Sequence, residues 1–229
     1  MNTTLEQDAE RVLDLIQEKR RGAATSKRMV IGIAGPPASG KSALAEAVVQ
    51  KLNNGVTGST PAAVLLPMDG FHLDNRILES RGLLARKGAP ETFDSAGFCS
   101  AVQQLSQPDH ERYFPRFDRQ MDLAIANAIA IPPEVPIVVV EGNYLLLKSP
   151  PWSSLSRVFA ASIFVCPSFE ALQDRLHRRW LDHGLDSEAA MKRATGNDLP
   201  NARTVIDESR EADLLLDQNY TEFGVRYAY

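Results

Sequence analysis

The chain has 229 residues, with 25 Lys and Arg against 29 Asp and Glu, a net charge of −4 and a pI of about 5.6. That mildly acidic balance gives no global reason to bind nucleic acid or an anionic membrane, and no apolar run approaches the roughly 20 residues of a membrane helix. Two scattered cysteines, Cys99 and Cys166, exclude a disulfide framework and a zinc site. The first residues carry neither a basic start nor an apolar core, so no signal peptide and a cytoplasmic location are expected. The length suits a single α/β unit with a lid.

Leu5, Ala9, Val12, Leu13 and Ile16 recur at helical spacing and predict an amphipathic helix over 4–20. It closes on Lys19, Arg20, Arg21 and Gly22, basic residues that complement the helix dipole and then a glycine. The apolar run 29–34 reads as a buried strand, and 41–53 reads as a helix. Between them stands Gly35-x-x-x-x-Gly40-Lys41-Ser42, the Walker A pattern in its required strand–loop–helix context. Gly35, Pro36, Pro37, Ala38, Ser39 and Gly40, with Lys41, Ser42 and Ala43 at the helix start, are therefore expected to hold a nucleoside triphosphate. Glycines let backbone N–H groups curl around phosphate oxygens, Lys41 reaches the β- and γ-phosphates, and the Ser42 hydroxyl can ligate Mg2+.

A loop at 53–58 leads to a second short strand at 62–67, which delivers Met68-Asp69-Gly70-Phe71-His72. Residues just past the carboxyl ends of parallel strands line the ligand crevice. Asp69 is thus a candidate general base, substrate-orienting carboxylate or metal-site residue; the same residue type also serves as a turn residue or helix cap. A helix over 73–81, a loop over 86–94 and a helix capped by Asp94 or Ser95 and running to about 105 follow. The stretch 112–119 is dense in cations and aromatics, and the alternation through 123–131 is compatible with short antiparallel strands.

Residues 137–140 form a continuous apolar run, as in a strand buried on both faces, and it ends in Glu141-Gly142-Asn143-Tyr144. Glu141 takes the Walker B position, where its carboxylate can support the Mg2+ shell through water; the alternative is a strand-end carboxylate that caps a turn. A fourth strand is predicted over 158–166. The helix over 168–180 carries Arg175, Arg178 and Arg179 before the break at His183-Gly184. These arginines fit a lid over transferred phosphate, since the planar fork pairs two oxygens at once, or else a solvated basic face. A helix at 187–194, an interruption at 196–201, a helix at 202–208 and a strand at 212–216 complete the core. Residues 222–229 read as a closing turn or edge strand.

Taken together, the Walker A motif, Met68-Asp69-Gly70-Phe71-His72, residues 87–94, Tyr113 with Phe117-Asp118-Arg119, and Val140-Glu141-Gly142-Asn143-Tyr144 resemble the phosphoribulokinase/uridine kinase/pantothenate kinase group of P-loop kinases. Within it, the likeness is to the bacterial branch labelled fructose transport system kinase or nucleoside/nucleotide kinase. The resemblance implies a three-layer P-loop NTPase fold over 1–229: a five-stranded parallel sheet of order 2-3-1-4-5 between helices. To this it adds an N-terminal helix at 1–22, a small antiparallel acceptor-site insert at about 70–135 and a helical lid at about 175–200. It implies ATP and Mg2+ as cofactors and a small-molecule hydroxyl acceptor: a nucleoside, sugar, sugar phosphate or pantothenate. Asp69 would be the catalytic aspartate, assisted by Lys41, Arg178 and Arg179. Glu141 would be the metal-shell acid and Arg175 a nucleotide contact.

His72, Tyr113, Arg116, Arg119 and Tyr144 are the candidate acceptor contacts, and Phe71, Phe93 and Phe117 the candidate walls. Two rivals stand beside this reading. A nucleotide switch lacks its Asn-Lys-x-Asp signature here, and the match Asp94-Ser95-Ala96-Gly97 opens a helix rather than leaving the metal-bearing strand. An inactive interaction subunit is hard to square with intact Lys41, Ser42, Asp69 and Glu141. No nucleic-acid partner is expected, and a homodimer stays open.

Overall fold

The computed structural model describes residues 4–21 and 28–217. The terminal turn or strand expected at 222–229 and Gly22 of the first helix lie outside them. Five strands form one parallel sheet: β1 (Met29–Ala34), β2 (Ala63–Pro67), β5 (Ile137–Gly142), β6 (Ala161–Val165) and β7 (Leu214–Leu216), in spatial order β2-β5-β1-β6-β7. Counted along the sheet's own strands this is 2-3-1-4-5, as the family resemblance implies. The remaining pair, β3 (Arg112–Asp118) and β4 (Leu123–Ile131), is a separate antiparallel hairpin.

The central strands are apolar at nearly every position because both faces are covered. Side chains alternate between the faces. Ile31, Ile33, Ile137, Val139 and Ile163 pack with Ala9, Val12 and Ile16 of α1 (Leu5–Arg21) and with Leu44, Ala45 and Val48 of α2 (Lys41–Asn53). Val30, Ala34, Val138, Val140 and Phe164 point the other way, to a core shared with Phe98 and Val102 of α4 (Ser95–Gln104), Trp152 and Val205. Register then assembles the functional end of the sheet. Ala34 pairs with Gly142 and Phe164, and Pro67 pairs with Glu141. The P-loop, Glu141 and the residues after Pro67 therefore emerge side by side.

Several expected boundaries move. The helix predicted over 73–81 shortens to α3 (Asn75–Ser80), because Asp74 caps it by accepting from the Arg76 N–H. The strand expected from 158 begins at Ala161; Trp152–Arg157 is a 3-10 turn whose last hydrogen bonds absorb Val158 and Phe159. β7 is only three residues long, since Asp213 turns its carboxylate onto Ser162 N and Oγ before the strand starts. The segment expected as the lid breaks at His183-Gly184, as the sequence predicts, but is continuous at 196–201, where an interruption was expected. It comprises α5 (Phe169–Asp182), α6 (Ser187–Arg193), a π-helical segment (Ala194–Asp198) and α7 (Leu199–Glu208). Pro200 lies at the start of α7, immediately after the π-helical segment.

Candidate active site

The phosphate loop follows β1. Gly40 (φ 95°) and Ala38 (φ 61°) take left-handed backbone conformations that turn the chain into α2. A Cβ on Gly35 would lie 2.4 Å from the Val165 carbonyl oxygen, so only glycine lets the loop pass the end of β6. Lys41 is buried, and its Nζ lies 3.6 Å from Glu141 Oε1. Ser42 Oγ donates to the same oxygen at 3.1 Å. Burial pushes the Glu141 carboxyl above its usual range and the Asp69 charge adds to this, while Lys41, the Ser42 hydrogen bond and Arg119 oppose it without cancelling it. A buried carboxylate of this kind is stabilised by further positive charge. Ser39 Oγ is fully buried with no hydrogen-bond partner among the described residues.

Asp69 sits in the 3-10 turn Met68–Phe71 directly after β2. Its Oδ2 accepts from Arg119 Nη2 at 3.3 Å, which ties the tip of the β3–β4 hairpin to the turn. The hairpin comes this close because residue 70 is glycine: a Cβ there would be 2.2 Å from the Pro115 carbonyl oxygen. His72 Nδ1–H donates to the Asp69 carbonyl oxygen at 2.8 Å. The imidazole is packed between Phe93 (centroids 4.0 Å apart) and Phe117 (4.7 Å). Burial lowers the His72 pKa against the pull of Asp69, so the ring is neutral near pH 7.

The other expected acceptor contacts scatter. Phe71 stacks edge-on against Phe98, and with Tyr113 it lines an open groove between α4 and β3. The Tyr113 ring is exposed there and its hydroxyl donates to Glu111. Arg116 is exposed and forms no ion pair among the described residues. Tyr144 is fully buried; its hydroxyl donates to the Gly88 carbonyl, and burial drives its pKa well up. The structure thus gathers Asp69, His72, Phe93, Phe117 and Arg119; Tyr144 backs this group from the core, its ring edge-on to Phe93 at 5.8 Å, while Phe71, Tyr113 and Arg116 lie elsewhere.

No family model matches the chain. The Schizosaccharomyces pombe protein named "Putative uridine kinase C227.14" is 34% identical over 199 residues, covering 84% of each chain. The solved structure titled "putative fructose transport system kinase from Silicibacter sp. TM1040" is 42% identical and covers 93% of this chain and 98% of that one, with a TM-score of 0.77. The chain belongs to the phosphoribulokinase/uridine kinase/pantothenate kinase family of P-loop kinases. A pantothenate kinase of Leifsonia xyli is also similar, 31% identical over 144 residues, 62% of this chain and 44% of that protein. Membership makes the chain an ATP-dependent phosphotransferase with a hydroxyl acceptor.

Helix α5 packs on the phosphate loop. Arg175 Nη1 donates to the Ala38 and Ser39 carbonyl oxygens at 3.4 and 3.1 Å, so this arginine braces the loop backbone. Arg178 is exposed on the same helix, and the Arg179 guanidinium lies 5.7 Å from the Trp180 ring. Trp180 Nε1–H donates to the buried Asp198, whose pKa is raised by burial and lowered by that hydrogen bond, Arg179 and Arg193. Sequence reasoning assigned no role to Lys87, Asn75, Asp122, Arg193 or Asn197, although together they join the α3 turn, the β3–β4 hairpin and the helices after α5. Lys87 Nζ donates to Asn75 Oδ1 and Asp122 Oδ1, while the Lys87 carbonyl accepts from Asn197 at 3.0 Å and Arg193 at 3.5 Å. Of these only Lys87 lies in a sequence motif, that of residues 87–94; the other four carry no local signal.

Proposed function

We propose that this kinase transfers the γ-phosphoryl group of ATP, with Mg2+, to a hydroxyl of a small molecule held between the Asp69 turn and the β3–β4 hairpin. One observation carries the reading: three strand ends converge. Lys41 and Ser42 follow β1 and lie 3.6 and 3.1 Å from Glu141 on β5, whose register partner Pro67 stands two residues before Asp69. The chemistry needs an anion cradle, a metal-supporting acid and a proton acceptor around one crevice, and these strand ends supply them.

Ser42 Oγ and Glu141 Oε1 are adjacent hard oxygens in a buried pocket, which suits Mg2+, an ion that takes few carboxylates and keeps several waters. Ser42 would ligate the ion and Glu141 would hold its shell; once bound, Mg2+ neutralises charge on the phosphate oxygens. Lys41 and the backbone N–H groups of Gly35 to Ser42 bind the β- and γ-phosphates. Arg178 and Arg179 are the lid cations proposed to close toward the transferred group. Asp69 orients the acceptor hydroxyl and takes its proton as the new O–P bond forms and the bond from Pγ to the ADP oxygen breaks. The mildly acidic net charge favours a small molecule over nucleic acid, and we place the reaction in the cytoplasm. Among the described residues no helix is long and apolar enough to cross a membrane.

The test is Asp69→Asn, assayed by acceptor-dependent ADP release. Turnover is expected to fall by about 10²–10⁴, while the affinity for a non-hydrolysable ATP analogue stays within a few-fold. Near-normal turnover of the variant would remove Asp69 from this role.

A further inference from the structure

A phosphoryl group brought to these strand ends meets charges that already cancel. Lys41 is paired with Glu141 across 3.6 Å, and Arg119 with Asp69 across 3.3 Å. Burial and the Lys41 charge act most on the Glu141 carboxyl, but the charges of Asp69 and Arg119 also reach it. The two pairs therefore share one electrostatic neighbourhood. ATP brings more negative charge than one Mg2+ offsets, and both carboxylates oppose it. A cation beyond Lys41 is needed, and it must be one that can move.

The nearby cations differ in how firmly they are held. Lys87 Nζ donates to Asn75 Oδ1, Asp122 Oδ1 and the Asp122 carbonyl. Arg175 braces the phosphate loop, and Arg179 lies against the Trp180 ring. Arg119 has one contact, to Asp69, and its side chain is 57% exposed. An exposed ion pair of this kind adds little stability, so the guanidinium leaves Asp69 at small cost. Its backbone does not have to leave with it. Arg119 opens the turn between β3 and β4, where Asp118 Oδ1 accepts from the Gln120 and Met121 N–H groups. At the other end of that turn Lys87 holds Asp122. A turn anchored on both sides thus carries a long, exposed cationic arm beside Asp69.

We infer that Arg119 is a catalytic residue that leaves Asp69 when ATP binds and pairs with oxygens of the γ-phosphoryl group. The inference rests on the reading of Asp69 as the group that meets the acceptor hydroxyl. In that reading the reacting oxygen is hydrogen-bonded to Asp69 and lies roughly 3–3.5 Å from the phosphorus. A guanidinium in contact with Asp69 Oδ2 then stands about one hydroxyl away from the phosphoryl oxygens. Its planar fork pairs two of them at once, and the phosphoryl group carries more charge than a single carboxylate. Arg119 comes from the hairpin insert, not from the helix that carries Arg178 and Arg179. Its departure also uncovers the Asp69 carboxylate only when a phosphoryl group is in place to be transferred. No bond or proton changes at Arg119 itself.

The test titrates the full chain with ADP and with a non-hydrolysable ATP analogue, each with Mg2+, in a calorimeter. The ratio of the two affinities reports contacts to the γ-phosphate and needs no acceptor. In Arg119→Met the preference for the analogue is expected to fall by about 10–100-fold, the scale of charge-assisted hydrogen bonds. ADP affinity should stay within a few-fold of wild type. Arg119→Lys, which keeps the charge but not the fork, should recover part of the loss. Asp69→Asn removes the same ion pair from its other end and should leave the ratio within a few-fold, which separates a phosphate contact from support of the turn. A second readout uses the wild-type chain: labelling of Arg119 by phenylglyoxal, followed by mass spectrometry, should be slowed by the analogue and not by ADP. A ratio unchanged in Arg119→Met, a loss reproduced by Asp69→Asn, or equal protection by both nucleotides would each overturn the inference. If Arg119→Met misfolds, the labelling decides. Failure of the reading beneath shows elsewhere, as acceptor turnover indifferent to Asp69→Asn.

Discussion

Gly70→Ala probes the joint on which the acceptor side depends. Gly70 is buried in the turn after β2, and the added Cβ would stand 2.2 Å from the Pro115 carbonyl oxygen, 2.7 Å from its carbon and 3.2 Å from the Arg116 nitrogen. All three are backbone atoms of β3, so no side chain can rotate away. Restoring even a tight 3.0 Å contact takes a displacement of about 0.8 Å between turn and hairpin. Overpacking of this kind costs about 1–3 kcal/mol. At roughly 2–4 °C per kcal/mol for a chain of this size, the melting temperature should fall by about 2–12 °C. The same displacement opens the Arg119–Asp69 and Phe117–His72 contacts, which join hairpin and turn across 3.3 and 4.7 Å. A misplacement approaching 1 Å costs on the order of 10²-fold in rate. The phosphate loop is built on β1 and α2, so the affinity for a non-hydrolysable ATP analogue should hold. Thermal unfolding, calorimetric titration of the analogue and acceptor turnover report these quantities separately. A variant melting within about 1 °C of wild type and turning over acceptor normally would show that the hairpin does not rely on this contact.

Two further outcomes follow from the same geometry. Arg175→Met removes the guanidinium donors from the Ala38 and Ser39 carbonyls, and ATP affinity measured by titration should weaken by about 10–100-fold, the scale of charge-assisted hydrogen bonds; an unchanged dissociation constant would show that the loop holds its shape without this brace. His72 gives a pH signature: burial lowers its folded pKa below the ordinary 6.5, so as pH falls through that value the unfolded chain takes up the proton first and stability is lost. Urea unfolding of the wild-type chain should therefore weaken between neutral and mildly acid pH more than that of His72→Gln, and equal slopes would show that the ring is not held neutral.

What was legible in the sequence divides by range. The phosphate loop reads directly because its requirement is local: eight consecutive positions between a strand and a helix supply it. Asp69 and Glu141 read almost as well, since apolar runs mark where β2 and β5 end and parallel register brings those ends together. The helices α1 and α2 sit within a residue of their predicted bounds, because amphipathic spacing and a basic or Gly-rich end are also local. Contacts such as Lys87 with Asp122, or Arg193 with the Ala85 carbonyl, join residues far apart in the chain, and no spacing announces them. Tyr144 was expected at the acceptor, but the residue lies past the strand end and turns into the core, where its ring meets Phe93 edge-on. Gly196 and Pro200 read as a break, but the lid stays helical because Asn197 and Asp198 find partners in the Lys87 carbonyl and Trp180.

Those long-range contacts share one address, the loop at 85–94. The sheet end reaches this loop through the Tyr144 hydroxyl on the Gly88 carbonyl. The lid reaches it through Arg193 and Asn197 on the Ala85 and Lys87 carbonyls. The acceptor insert reaches it through Asp122 on the Lys87 ammonium. Phe93, from the same loop, then presses on His72 next to Asp69. A loop bonded through its carbonyls constrains backbone position more than side-chain identity, so this loop sets where the sheet end, the α6–α7 segment and the β3–β4 hairpin meet. On the proposed reading the chemistry of transfer belongs to the strand ends, and this loop aligns the helices and the acceptor side upon them.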